Sequence, residues 1–160
     1  MWIEVQDLQR IARANRGRSA WFAVIAVLAG CGSEPSRSVP VECKGASAAV
    51  ERALARAPGA VRLGGTRLSA CFAPGADPGD VQTLGLTLLP AAEHLAVAAR
   101  THPRGPAPLR LGYLVGAVRR GAARGGVYAE LERRLEQELA GVDTGSAAYR
   151  RGALAGREHG

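Results

Sequence analysis

The run Asp77-Pro78-Gly79-Asp80 constrains the fold more than any other stretch of the chain. Asp at an N-cap accepts hydrogen bonds from the open amides of a first turn. Pro at the first helical position loses no bond there, and a second acid complements the positive end of the helix dipole. Behind this start, Val81, Leu84, Leu88, Leu95 and Ala99 recur at helical spacing, which predicts one long amphipathic helix. Pro90 lies inside it and is expected to kink it, because its nitrogen cannot bond back to Leu86.

The same periodicity marks the neighbours. Ser47 to Ala57 carries Val50, Leu54 and Ala57 toward one face and is stopped by Pro58-Gly59. After the His102–Pro106 turn, Pro108 opens a helix with Leu111, Leu114, Val115, Val118 and Ala122 inward. Gly112 and Gly116 sit four apart on it, a spacing read here as close packing against another helix of the same domain. Gly125-Gly126 breaks the chain. Tyr128, Leu131, Leu135 and Leu139 mark the next helix, with Gly141 as its expected C-cap, and Ser146 to Arg157 forms a last short one. Residues 61–72 alternate about Gly64-Gly65, as a small hairpin would, but two short strands alone are marginal, and an ordered loop is expected. The fold class is therefore all-α: a bundle of four to five helices in residues 43–160. Aromatic residues are only 4% of the chain, so the core must come mainly from Leu, Val and Ala.

Before this domain stands a different kind of segment. Arg10, Arg13, Arg16 and Arg18 precede the uncharged apolar run from Ala20 to Leu28, and Leu28-Ala29-Gly30-Cys31 closes it. The run is about half the length needed to cross a bilayer and matches the apolar centre of a secretory signal. Positive charge before it keeps that end in the cytoplasm. Leu28-Ala29-Gly30-Cys31 resembles the lipobox of bacterial lipoproteins, a resemblance confined to residues 10–31. It implies a signal peptide over residues 1–30, cleavage after Gly30, and a diacylglyceryl thioether on Cys31. The protein would then be exported and held on the extracytoplasmic face of the cell membrane by its lipid, since stable attachment takes more than one acyl chain. Residues 31–42, rich in Ser and Pro, are expected to be a flexible tether.

With Cys31 given to lipid, Cys43 and Cys71 remain as a pair in an exported domain, where an oxidising compartment favours a disulfide. Metal ligation and redox chemistry have little support: no C-x-x-C is present and no His lies near either Cys. The three His, at 94, 102 and 159, never share a helical face at ligand spacing, and no nucleophile elbow or phosphate-binding Gly loop occurs. Neither catalytic residues, nor a metal, nor a cofactor is therefore expected.

Charge is the remaining feature. Of the 21 basic residues all but Lys44 are Arg. Cleavage before Cys31 removes four Arg together with Glu4 and Asp7, leaving 17 basic against 12 acidic residues. Arg119, Arg120 and Arg124 are close in sequence with few acids beside them, whereas Arg133 and Arg134 sit among Glu residues. The first three form the candidate anion-binding patch, with anionic lipid or a wall polymer as the matched partner. Nucleic acid is not expected outside the cytoplasm, and no protein partner can be read. The resulting expectation is a non-enzymatic helical interaction or structural module, with an envelope hydrolase as the rival.

Overall fold

The computed structural model describes residues 37–123 and 126–160. Five helices form the bundle: α1 (Ser47–Leu54), α2 (Pro78–Thr101), α3 (Ala107–Ala122), α4 (Ala129–Glu138) and α5 (Ala147–His159). Two strands, β1 (Arg62–Leu63) and β2 (Thr66–Arg67), pair antiparallel between α1 and α2.

α2 begins as its sequence predicts. The Asp77 carboxylate accepts from the amides of Gly79 at 2.8 Å and Asp80 at 3.2 Å. The helix runs unbroken through Pro90, which does not divide it. α1 is shorter than expected, because beyond Leu54 the amides of Ala55, Arg56 and Ala57 bond three residues back in a turn. Gly141 lies in a left-handed turn (φ 73°) a few residues past the end of α4 rather than capping it directly.

The expected loop at residues 61–72 is instead a hairpin, and two features explain it. Gly64 and Gly65 both take positive φ (51° and 95°), the backbone that a tight two-residue hairpin turn requires. The strands are not alone, either. Val61, Leu63 and Leu68 are buried in the core, and the Val61 amide donates to the Tyr113 hydroxyl at 3.2 Å.

The domain also starts earlier than Cys43. The Arg37 amide donates to Gly75 and its carbonyl accepts from Asp77; Val39 is buried; Val41–Lys44 form a 3-10 turn. Residues 37–42, expected as tether, thus belong to a strap, residues 37–45, laid on the bundle. Residues 1–36, on which the expected signal, Cys31 and the rest of the expected tether fall, lie outside the described residues.

α3 and α5 form the most extensive helix pair. A Cβ built at Gly112 or Gly116 would collide with the carbonyl oxygens of Tyr149 or Ala153, and one at Gly152 or Gly156 with those of Leu109 or Tyr113. Backbone meets backbone, which only glycine permits. Residue numbers rise together along both helices, so the pair is parallel, and α4 lies between them in sequence. Cα–H groups facing carbonyls across such a seam add weak hydrogen bonds. Few as the aromatics are, three of them occupy the centre. Phe72 and Tyr128 meet edge to face with centroids 5.6 Å apart, and Tyr113 is fully buried.

Candidate functional site

Cys43 and Cys71 form a disulfide with Cα atoms 5.7 Å apart, and both residues are fully buried. The bond fastens the strap to the segment that follows the hairpin. It acts together with Asp80, whose carboxylate accepts from Lys44 Nζ at 2.8 Å, the Val39 amide at 2.8 Å and the Ser38 hydroxyl at 3.0 Å. The Lys44 hydrogen bond, then those of Val39 and Ser38, hold the Asp80 carboxyl below its ordinary range. Thr87 adds a further tie by donating to the Gly45 carbonyl at 2.9 Å. In the sequence Asp80 stands only as a first-turn acid of α2, because its partners lie some forty residues away with no local signal.

The expected basic patch is rearranged. Arg119 is held by Glu136 at 2.8 Å and Glu132 at 3.5 Å, so it does have acids beside it, supplied by α4. Arg120 donates to the carbonyls of Arg157 and Glu158, both at 2.9 Å, and thereby caps α5, as a cation does well at the negative end of a helix. Arg124 lies outside the described residues. Arg119 and Arg120 are therefore committed to different partners and form no open common surface. Arg133 and Arg134 both bond Glu130, as their spacing predicts, and these bonds pull the Glu130 carboxyl down to about 2.

A different cationic groove appears nearby. Arg119, Arg150 and Arg157 open on a groove of about 450 Å³ between α3, the α4–α5 turn and α5, with Leu139 and Ala153 on its walls. Tyr149 also lines it. This residue is 4% exposed, and its hydroxyl is buried with no hydrogen-bond partner. Burial raises the Tyr149 phenol; the positive charge of Arg119 opposes the rise, Glu136 adds to it, and Arg157 opposes it. Arg150 and Arg157 are seven residues apart and so share a helix face, a spacing visible in the sequence but not singled out there.

Tyr128 is tied into the fold, and the histidines lie apart. The Tyr128 hydroxyl donates to the Ala73 carbonyl at 2.9 Å, and burial pushes its pKa up to about 12. His94 meets Glu51 at 3.0 Å on an exposed face. Ser69 and His159 line one groove of about 390 Å³ with Arg67 and Arg120, but no hydrogen bond joins that Ser to that His. Among the described residues no group of three His, Cys, Asp or Glu is placed to hold a metal ion. Comparison with protein-family models, with curated proteins and with solved structures gave no match.

Proposed function

We propose that this chain is a bacterial lipoprotein, exported and anchored by lipid on Cys31 to the extracytoplasmic face of the cell membrane, where its helical domain serves as a non-enzymatic interaction or structural module. The carrying observation is the conjunction of four Arg, a short apolar run and Leu28-Ala29-Gly30-Cys31. The buried Cys43–Cys71 disulfide supports the reading, because such bonds persist in oxidising compartments. Among the described residues no helix is long and apolar enough to cross a membrane. The non-enzymatic reading rests on how the polar side chains are used: Tyr113, Tyr128, Asp80, Arg100 and Arg120 all bond structural backbone groups.

Membrane fractionation of wild type and Cys31→Ala tests the anchor. Wild type is expected in the membrane fraction as a processed chain, and the variant is expected to lose both processing and lipid. Equal membrane retention of the two, with the leader cleaved in both, would overturn the proposal.

A further inference from the structure

Three arginines from two helices converge on the groove above Tyr149. Arg150 and Arg157 are exposed, and among the described residues neither side chain has a carboxylate or carbonyl partner. The third, Arg119, is shared with Glu132 and Glu136. Beneath them the Tyr149 hydroxyl is a buried donor with nothing to donate to, which native proteins rarely leave so unless a water or ligand completes the site. Leu154, 58% exposed, stands at the rim and offers apolar surface to whatever the anion is attached to.

We propose that this groove binds a phosphate group, with Arg150 and Arg157 forking onto its oxygens and Arg119 exchanging Glu136 for it, an exchange that uncovers the buried Tyr149 hydroxyl to donate a further bond. Phosphate fits better than carboxylate, because the ligand must displace a carboxylate already on Arg119. A phosphate monoester, with a charge near −2 and three acceptor oxygens, has the advantage in that exchange. The site is distinct from the patch expected at Arg119, Arg120 and Arg124, and its chemistry does not depend on where the protein resides. The phosphate could be free or borne by a lipid head group.

The test is a titration of the full chain, with its arginine side-chain Nε–H signals followed by NMR, using inorganic phosphate in one arm and short-chain dihexanoyl phosphatidic acid, whose head group is a phosphate monoester, below its micelle concentration in the other. Arg150 and Arg157 signals should shift saturably in at least one arm, while Arg52 and Arg104 stay put. Saturation by phosphate alone identifies a free phosphate ligand, and saturation by the phospholipid alone a head group. Arg150→Gln with Arg157→Gln should weaken binding at least tenfold, and Arg52→Gln with Arg104→Gln should leave it unchanged. Tyr149→Phe should leave the melting temperature in phosphate-free buffer undiminished but reduce phosphate affinity several-fold, a split that a purely structural hydroxyl would not give. No saturable shift in either arm, or equal weakening by the two double variants, overturns the proposal.

Discussion

Residues 37–45 and the α3–α5 pair both close the core, yet they are fastened by opposite means. The strap is held by polar and covalent ties: a disulfide, three hydrogen bonds onto Asp80, and the Thr87 bond to Gly45. The seam is held by the absence of side chains, four glycines letting two backbones approach. The strap consists of few residues that sit far from their partners in sequence, so each tie must overcome the entropy of ordering that segment. The seam joins two regular helices, where each glycine repeats the same contact one turn on. Loss of one polar strap tie should therefore loosen a segment, whereas one added methyl in the seam should strain the whole pair, and only loss of the strap's covalent bond should cost more.

The largest effect should come from the strap's covalent bond. Replacing Cys43 and Cys71 together by Ala is expected to cost about 3.5 kcal/mol in the loop-entropy picture for the 28-residue separation, read by chemical denaturation. A loss below about 1 kcal/mol would mean that the polar ties alone hold the strap.

Next is the seam. Gly152→Ala and Gly156→Ala should each destabilise by about 2–3 kcal/mol through overpacking, although Ala is otherwise the better helix former by about 1 kcal/mol. Gly126→Ala, where a Cβ meets nothing within 4 Å, should change stability by less than about 0.5 kcal/mol. Stabilisation by Ala at position 152 or 156 would show that the helices can part at little cost.

The smallest effect is local and depends on pH. Because the folded-state pKa of Asp80 is depressed, its contribution is present above the ordinary carboxylate value of 3.8 and is lost as pH falls through the lowered value. The protection factor of the Val39 amide against hydrogen exchange should fall over that acidic window in wild type. Asp80→Asn should already exchange faster at neutral pH and lose that acid dependence.

Legibility in sequence follows the same division. Helical spacing, the Asp77 cap and the Gly112/Gly116 pair are local patterns, and they announced the bundle and half of the seam. The matching Gly152/Gly156 pair was equally visible, and its shared four-residue spacing was the signal that could have joined the two helices. The disulfide was legible by elimination among three cysteines. Asp80's role, the strap and the pairing of Arg119 with Glu136 were not, because each depends on which elements become neighbours. The hairpin was underrated for the same reason: its stability comes from Val61, Leu63 and Leu68 entering a core that local sequence does not display.

The most direct test of the central claim is the intact mass of the protein isolated from its native membrane without reductant. The expected species is a chain beginning at Cys31, carrying a diacylglyceryl group and lacking the two thiol hydrogens of Cys43 and Cys71. A full-length, unlipidated chain with all three thiols free would contradict it.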